Sequence, residues 1–165
     1  MEIERKFLVK DVSKLNLDSY KHKEIIQDYL YKDKFTTIRK RKIVANNEIS
    51  YIYTIKTGRI NISVNEMEKE ITEKQYNSLT NNPNNVTIHK TRYMIPYKDN
   101  LTIELDVFHG VYEGIIFAEI EFESEEQAYN IELPKWFGKD ISSIVTNSNM
   151  AFNYTKSISK LKEIQ

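Results

Sequence analysis

The sequence predicts a mainly β fold of the α+β class, organised as one domain over residues 1 to 165. Eight segments rich in β-branched and aromatic residues alternate apolar with polar side chains, which is the period of a β-strand. Thr72-Glu73-Lys74-Gln75 and Ser124-Glu125-Glu126-Gln127 have the spacing of a capping box and predict short helices between strands. A chain of this length can bury a sizeable core, and no linker or low-complexity segment divides it, so we expect one domain.

The first four predicted strands cover residues 2–9, 25–31, 36–44 and 50–57. The chain opens on Glu2-Ile3-Glu4-Arg5-Lys6, in which the charged residues at even positions share one face of the strand. Residues 10–24 are polar and predict a loop with a short helix. Lys32-Asp33-Lys34 separates the second and third strands as a hairpin turn, and Gly58 ends the fourth strand.

The second half of the chain continues the same pattern. Further strands are predicted over residues 62–72, 86–96, 101–108 and 115–123. A helix is expected over residues 73–81, since Asn82-Pro83 ends it, and another short helix follows Ser124. Residues from about 147 onward also predict helix.

Composition argues against several classes of partner and chemistry. Lys plus Arg and Asp plus Glu each number 24, so the formal net charge is zero and no overall field attracts nucleic acid or an acidic membrane. The absence of cysteine excludes disulfides, thiolate catalysis and zinc–thiolate sites. The start is charged and no apolar run approaches about 18 residues, so we expect a cytoplasmic protein without a signal peptide, membrane span or nucleic-acid partner.

Charged side chains recur in phase on nearly every predicted strand. The sets are Glu2/Glu4/Lys6, Arg39/Arg41, Lys56, Glu66/Glu68/Glu70, Lys90/Arg92, Glu104/Asp106 and Glu119/Glu121/Glu123. They fit either a sandwich with a salt-bridged exterior or a closed barrel with the charges inside and helices over its apolar outer faces. Except in the first strand, each set keeps one sign, which favours the barrel because a merely solvated face has no reason to do so.

A charged barrel interior has to be neutralised, because each unpaired buried charge costs several kcal/mol. Paired carboxylates without His or Cys select hard cations such as Mg²⁺ or Mn²⁺. The inward Lys and Arg side chains select a polyanion, and Arg can form bidentate hydrogen bonds with phosphate. The pattern therefore predicts phosphoryl chemistry on a compact, highly charged substrate.

The opening motif resembles the Glu-x-Glu-x-Lys motif of the CYTH domain, the triphosphate tunnel metalloenzyme family. The similarity continues in order through Arg39-x-Arg41, Lys56, Glu66-x-Glu68, Lys90-Thr91-Arg92-Tyr93, Glu104-Leu105-Asp106, Ala118-Glu119-Ile120-Glu121, Trp136-Phe137-Gly138 and Asn147-Ser148-Asn149. The motifs are most similar to those of small bacterial inorganic tripolyphosphatases. The resemblance implies an eight-stranded antiparallel closed barrel, or tunnel, with a charged interior and helices packed outside.

The resemblance also implies an activity: hydrolysis of inorganic triphosphate or another small triphosphate with Mg²⁺ or Mn²⁺, releasing phosphate or pyrophosphate. The implied phosphate-binding residues are Lys6, Arg39, Arg41, Lys56, Lys90 and Arg92. The implied metal ligands are Glu2, Glu4, Glu119, Glu121 and Asp106, with Glu104 in support; Glu104 and Asp106 could instead orient the basic residues. Glu66 and Glu68 would position the attacking water or a second metal, so the expected catalytic residues are Glu66, Glu68, Lys6 and Arg41.

Two positions depart from the family pattern. Val64 stands where related tripolyphosphatases place an Arg, two residues before the Glu-x-Glu of the middle strand. Ser142 to Thr146 replace an Asp-x-Arg-Tyr stretch, a change that bears on the helical plug near one tunnel mouth. Either departure could change substrate choice or rate.

Several alternatives stay open from the sequence. The family includes adenylate cyclases, and a barrel of this kind could also bind a triphosphate or nucleotide without hydrolysing it. The sequence does not choose among triphosphates, between Mg²⁺ and Mn²⁺, or between a monomer and a homodimer formed through an outer face. His22, His89 and His109 lack metal-ligand spacing and are expected to be ordinary surface or packing residues.

Overall fold

The computed structural model describes residues 1 to 164, which form a closed antiparallel barrel of eight strands. The strands are β1 (Glu2–Leu8), β2 (Lys21–Lys32), β3 (Thr36–Ala45), β4 (Glu48–Ile60), β5 (Ser63–Ile71), β6 (Ile88–Pro96), β7 (Thr102–His109) and β8 (Ile116–Phe122). Their order around the barrel is β1-β5-β4-β3-β2-β6-β7-β8, and β8 pairs with β1 to close it. The closed barrel is confirmed, and the sandwich alternative is excluded.

The pairing register places the ionic faces of neighbouring strands opposite one another. Lys6 on β1 pairs with Glu119 on β8, and Arg92 on β6 pairs with Asp106 on β7. Directly opposed residues in an antiparallel pair point to the same face of the sheet. Lys56 on β4 likewise faces Glu66 on β5. The in-phase charges of the sequence therefore meet on one surface, which is the interior of the barrel.

Four helices surround the barrel: α1 (Glu73–Ser78), α2 (Glu125–Asn130), α3 (Asn147–Phe152) and α4 (Tyr154–Ile164). The predicted capping box of α1 forms completely, because Thr72 Oγ1 accepts from Gln75 N at 3.1 Å and Gln75 Oε1 accepts from Thr72 N at 2.9 Å. Ser124 Oγ likewise accepts from Gln127 N at 3.1 Å and caps α2, but Gln127 Oε1 accepts from Glu123 N at 2.9 Å instead of from Ser124, so the second predicted box forms only in part. No helix within residues 1 to 164 is both long and apolar enough to cross a membrane.

Two apolar clusters hold the barrel and its covering segments together. On the outer wall, strand residues such as Leu105 and Ile120 pack under Leu15, Leu17 and Trp136. At one end of the interior the ionic phase of three strands becomes apolar, and the side chains there pack against α3 and α4. This second cluster contains Leu8, Phe108, Phe117, Met150, Ala151 and Leu161. The C-terminal helices thus cover part of this end of the barrel, so a helical plug forms there despite the altered Ser142 to Thr146 stretch.

The segment after α2 is fastened to β1 by backbone hydrogen bonds. Gly138 N donates to Leu8 O at 2.8 Å, and Ile141 N donates to Lys6 O at 2.8 Å. A Cβ atom at position 138 would lie 2.4 Å from Leu8 O, so only glycine allows this approach. The Gly of the Trp-Phe-Gly motif therefore positions the strand that carries Glu2, Glu4 and Lys6.

The main difference from the predicted elements lies before β2. This strand begins at Lys21, although the sequence predicted a loop there and a strand start at Ile25. The early part is polar, but Lys21 and Lys23 pair with Met94 and Arg92 of β6, so tertiary pairing extends the strand. The predicted short helix is a single 3₁₀ turn at Leu17–Ser19.

Candidate active site in the tunnel

The barrel interior brings the sequence-predicted charged residues onto one surface, where most of them form ion pairs; this ionic network is divided into separate groups. Lys6, Arg39, Arg41, Lys90 and Arg92 are all buried. Apart from β1, which carries Glu2, Glu4 and Lys6, each strand supplies tunnel charges that are mainly of one sign, so the ion pairs form between strands. The geometry falls into three parts, which centre on Lys56, Asp106 and Glu119.

Lys56 lies among three carboxylates at one end of the network. Its Nζ atom is 2.7 Å from Glu2 Oε1, 3.4 Å from Glu66 Oε2 and 4.0 Å from Glu4 Oε1. Burial and the nearby Arg39 would lower the pKa of Lys56, but Glu4 and Glu2 outweigh them and the pKa is raised. Lys56 therefore stays an ammonium group and holds Glu2, Glu4 and Glu66 close together.

Asp106 is fully buried and accepts from two basic side chains. Arg92 donates from Nε to Oδ1 at 2.7 Å and from Nη2 to Oδ2 at 2.8 Å, and Lys90 donates from Nζ to Oδ2 at 2.8 Å. Arg92 also reaches Glu104 through Nη1 at 2.5 Å. Burial would raise the pKa of Asp106, but Arg92 and Lys90 outweigh it and the pKa is lowered. Asp106 is thus a carboxylate that orients two cations.

Lys90 is the basic residue whose charge is most sensitive to its surroundings. Burial, with repulsion from Arg92 adding to it, lowers the pKa of Lys90 to about 8 against the opposing attraction of Asp106. A buried ammonium group with this pKa is stabilised by any further negative charge that enters the tunnel.

Glu119 marks the acidic wall of the tunnel on β8. Its Oε1 atom is 3.7 Å from Lys6 Nζ and 4.0 Å from Arg92 Nη2, and within residues 1 to 164 this buried oxygen has no hydrogen-bond partner. Glu121 lies on the same strand and pairs with Glu4 across β1. The pKa of Glu121 is raised by burial and by the repulsion of Glu2 and other neighbouring carboxylates.

Two arginines on β3 form the basic wall opposite. Burial lowers the pKa of Arg41 to about 10, with repulsion from Arg39 and Arg92 adding to the effect, while Arg41 Nη2 still contacts Glu68 Oε2 at 3.1 Å. The buried Nε atoms of Arg39 and Arg41 have no hydrogen-bond partner in the described part of the chain. Buried donors are normally satisfied, so these guanidinium groups have capacity for an anion.

A cavity of about 390 Å³ opens at the mouth next to α3. Its lining includes the predicted residues Glu4, Lys6, Arg39 and Lys56, and also Lys32, Arg59, Val64, Ser142 and Asn149. Val64 faces into this cavity at the position where an arginine was expected, and its side chain is buried. The cavity therefore connects bulk solvent with the ionic network.

Sequence reasoning missed three residues of this interior. Arg59 Nη2 lies 3.9 Å from Glu4 Oε1 at the cavity, in a part of β4 where a bulge interrupts the pairing with β5. Lys23 is paired with Arg92, and burial followed by repulsion from Arg92 lowers its pKa. Tyr29 lines the cavity beside Arg39. Burial would lower the pKa of Arg39, but the contact with Tyr29 helps to raise it. Strand phase would have indicated Lys23 if the early start of β2 had been recognised, whereas Tyr29 lay within the predicted strand 25–31 and is placed inward by its pairing with Arg39.

The donor set of the tunnel fits a hard divalent cation. The ligands on offer are carboxylate oxygens, and the buried Glu119 oxygen without a partner and the raised pKa of Glu121 both show uncompensated acidic groups. Oxygen-only sets of this kind are typical for Mg²⁺, Ca²⁺ and Mn²⁺. Glu2, Glu4, Glu119 and Glu121 are therefore the residues that could hold such an ion.

An antiparallel barrel that combines a carboxylate wall able to hold a cation with unsatisfied buried arginines has the chemistry to accept a phosphate chain. The chain belongs to the CYTH domain family, which matches residues 1–151. The triphosphate tunnel enzymes of this family are metal-dependent, which agrees with the acidic wall.

Comparisons with known proteins give the same family. An inorganic triphosphatase from Acetivibrio thermocellus is 32% identical over 162 residues, which span 92% of this chain and 94% of the relative. An inorganic triphosphatase from Nitrosomonas europaea is 32% identical over 101 residues, or 61% of this chain and 66% of the relative. A solved structure described as an inorganic triphosphatase has a TM-score of 0.61 and 27% identity, and the match covers 92% of this chain and 95% of that one.

Proposed function

We propose that this protein is a metal-dependent triphosphatase that hydrolyses inorganic triphosphate or a similar small triphosphate inside the barrel. One observation carries the proposal: within residues 1 to 164, the buried Nε donors of Arg39 and Arg41 and the buried Oε1 acceptor of Glu119 all lack partners. A phosphate chain with its cation supplies both the missing acceptors and the missing positive charge. The relatives named inorganic triphosphatase support the same activity.

The substrate would bind along the basic side chains. Lys6, Arg39 and Lys56 line the cavity and would receive the phosphate chain first. Arg41 on β3 and Lys90 and Arg92 on β6, with β2 between these two strands, would hold its inner part. The planar arginines would contact two oxygens each. Lys90 and Arg92 would not need to change their side-chain conformations to bind the phosphate chain, because Asp106 already fixes both of them in position.

Mg²⁺ or Mn²⁺ would be held by Glu2, Glu4, Glu119 and Glu121. When bound, the ion would offset the negative charge of the phosphate oxygens. Asp106 was predicted as a further ligand, but its close contacts with Arg92 and Lys90 support the alternative role of orienting basic residues. Glu104, 2.5 Å from Arg92 Nη1, would support the same arginine.

Glu66 and Glu68 would orient the attacking water. Glu66 is held by Lys56 at 3.4 Å and Glu68 by Arg41 at 3.1 Å, so both carboxylates have fixed neighbours within the tunnel. The water oxygen would attack the terminal phosphorus as the bond to the pyrophosphate oxygen breaks, and a carboxylate would take the proton. Lys6 and Arg41 would stabilise the charge that develops on the leaving pyrophosphate.

Phosphate release across a panel of substrates tests the proposal. The panel is inorganic triphosphate, thiamine triphosphate, ATP and long-chain polyphosphate, each with Mg²⁺ and with Mn²⁺. We expect release from at least one triphosphate and none without the metal. Cyclic AMP and pyrophosphate from ATP would instead show an adenylate cyclase. Tight binding of triphosphate with no release would show a binding protein, and either of these outcomes would overturn the proposal.

The remaining expectations follow from this role. We infer that residues 1–165 act as one tunnel domain whose partner is a small triphosphate, without nucleic acid or a membrane. A cytoplasmic location suits a substrate of this kind. Whether two barrels pair through an outer face is tested by light scattering at the concentration used for the assays.

A further inference from the structure

A compact polar cluster lies on the outer wall of the barrel, away from the tunnel. It consists of Glu24 on β2, His89 and Thr91 on β6, and His109 at the end of β7, and we call it the outer-wall cluster. Glu24 pairs with Thr91, and His89 pairs with His109. Lys90, between His89 and Thr91, points into the tunnel, so strand alternation sends its two neighbours outward.

The four side chains are joined by short polar contacts. His89 Nε2 lies 3.0 Å from Glu24 Oε2, Thr91 Oγ1 lies 2.6 Å from Glu24 Oε1, and Thr91 Oγ1 lies 2.7 Å from His109 Nε2. The two imidazole rings are 4.9 Å apart between centroids. One ligand atom from each of Glu24, His89 and His109 can be chosen so that all three lie within 4.8 Å of one another.

We propose that Glu24, His89 and His109 form a second cation site, selective for Zn²⁺ or a similar transition-metal ion. Two imidazole nitrogens with one carboxylate are a protein ligand set of open, four-coordinate zinc sites. The tunnel offers only oxygen ligands, which suit hard cations, so the two sites differ in the metals they select. This site does not depend on the triphosphatase activity proposed above.

The hydrogen bonds prepare the cluster for a cation. An ionised carboxylate only accepts, so Thr91 donates its one hydroxyl proton to Glu24 and accepts from His109 Nε2–H. Both imidazoles thus direct Nε2 towards the centre of the cluster. A cation there would replace the Nε2–H hydrogen bonds: each imidazole proton would move from Nε2 to Nδ1, the Nε2 lone pair would bind the ion, and the buried Thr91 would continue to orient Glu24.

Burial and charge also suit binding from solvent. The side chains of His89 and Glu24 are 45% and 42% exposed, so an ion can reach them directly and keep water as a further ligand. Burial alone would raise the pKa of Glu24, but hydrogen bonds from Thr91 and His89 outweigh it and the pKa is lowered. Glu24 is therefore anionic at neutral pH, as a metal ligand must be.

A bound cation would tie three strands of the barrel together. β2, β6 and β7 each supply a ligand, and β6 also carries Lys90 and Arg92 on its inner face. A ligand that binds only the folded state raises the free energy of unfolding of the protein. Once the ligand concentration exceeds the dissociation constant, this gain grows with the logarithm of the ligand concentration. Zn²⁺ should therefore raise the melting temperature even when the tunnel is saturated with Mg²⁺.

The test is metal titration of the chelator-treated chain in excess Mg²⁺, with Co²⁺ as a visible probe and Zn²⁺ in competition. We expect one equivalent of Co²⁺ to bind with visible absorption bands, Zn²⁺ to displace it, and His89→Ala and His109→Ala each to weaken binding about tenfold or more, the size of effect known for disturbing a metal site. His22→Ala is the matched control. His22 packs against Tyr93, 5.5 Å between ring centroids, and is not one of the cluster ligands.

The same experiment can overturn the proposal. No saturable Zn²⁺ binding, binding only at millimolar concentrations, or equal binding by His89→Ala and the His22→Ala control would each contradict it. Glu119→Gln provides the second comparison: we expect it to keep the outer-wall site, and loss of Co²⁺ binding in this variant would place the ion in the tunnel instead. Melting curves without metal establish that each variant is folded. The readout is metal binding, so a failure here is distinct from a failure of phosphate release.

Discussion

Arg92 and Asp106 form a two-pronged ion pair across β6 and β7 in the buried interior of the barrel. Both hydrogen bonds are short, 2.7 Å and 2.8 Å, and Lys90 shares the same carboxylate. One carboxylate, Asp106, thus compensates the charges of two buried cations, so it stabilises the basic side of the tunnel. Breaking such a pair from one side leaves charge buried without a partner.

Stability should therefore respond strongly to Asp106. We expect Asp106→Ala to lower the free energy of unfolding by about 3–5 kcal/mol, the usual cost of removing one partner of a buried ion pair. Urea unfolding monitored by circular dichroism measures it. Glu104→Gln is the control, since Glu104 is 24% exposed and shares the same arginine. Equal, small losses in both variants would contradict the role given to Asp106.

Replacing Arg41 should reduce the turnover number much more than it reduces the stability of the fold. Its Nε atom is buried without a partner in the described residues, so we expect Arg41→Ala to reduce kcat for triphosphate by about a hundredfold to a thousandfold, as for loss of one preorganised charge-stabilising donor. Phosphate release measures kcat, and a melting curve checks the fold. Arg41→Lys should recover only part of the loss, because an ammonium group lacks the planar fork. Full activity in Arg41→Ala would exclude it from the site.

Alkaline pH should weaken substrate binding through Lys90. The pKa of Lys90 is about 8, so the group is charged below that pH and loses its proton above it. We expect KM for triphosphate to rise between about pH 8 and 9.5, with a smaller rise in Lys90→Arg, since guanidinium stays charged throughout this range. A pH profile of kcat/KM for both proteins measures this. An identical alkaline rise in KM for the two would show that another group titrates.

Arg59 should take part in holding substrate at the tunnel mouth. It lines the cavity near Glu4 and brings positive charge to the same mouth where Val64 stands in place of the expected arginine. We expect Arg59→Ala to raise KM about tenfold, equivalent to about 1.4 kcal/mol of binding, with little change in kcat. Lys14→Ala, on the exposed loop before β2, is the control and should behave like the unaltered chain. A KM unchanged by Arg59→Ala would leave Val64 without a substitute.

Most of the tunnel residues could be predicted from the sequence because the alternation of side chains along a strand depends only on neighbouring residues. Alternation placed Glu2, Lys6 and Glu119 on the charged faces of their strands, whereas the one-sign faces of most strands and the resemblance to the CYTH domain turned those faces inward. The two capping-box motifs predicted the starts of α1 and α2. Alternation fails where the backbone is irregular. Gly58 was expected to end the fourth strand, but it adopts a φ of +64° within a bulge between Thr57 and Ile60, and β4 continues to Ile60. The inward reach of Arg59 could therefore not be inferred from strand period.

The outer-wall cluster shows a second limit. His89 and His109 are 20 residues apart in the chain and have no metal-ligand spacing, so the expectation from sequence was that they are ordinary surface residues. The two histidines meet because β6 pairs with β7. Glu24 lies beside them because β2 pairs not only with β3, the next strand in the sequence, but also with the distant strand β6. Pairing between distant strands cannot be derived from the pattern within each strand.

The central claim is that the carboxylates and basic residues of the tunnel together hydrolyse a triphosphate. The most direct test measures phosphate release from inorganic triphosphate, with Mg²⁺ or Mn²⁺, by the unaltered chain and by Glu4→Gln. Glu4 lies between Lys56 and the acidic wall, and glutamine keeps its size while removing its charge. We predict metal-dependent release by the unaltered chain and loss of that release in a folded Glu4→Gln variant. Equal rates in the two proteins would contradict the assignment of the tunnel as the active site.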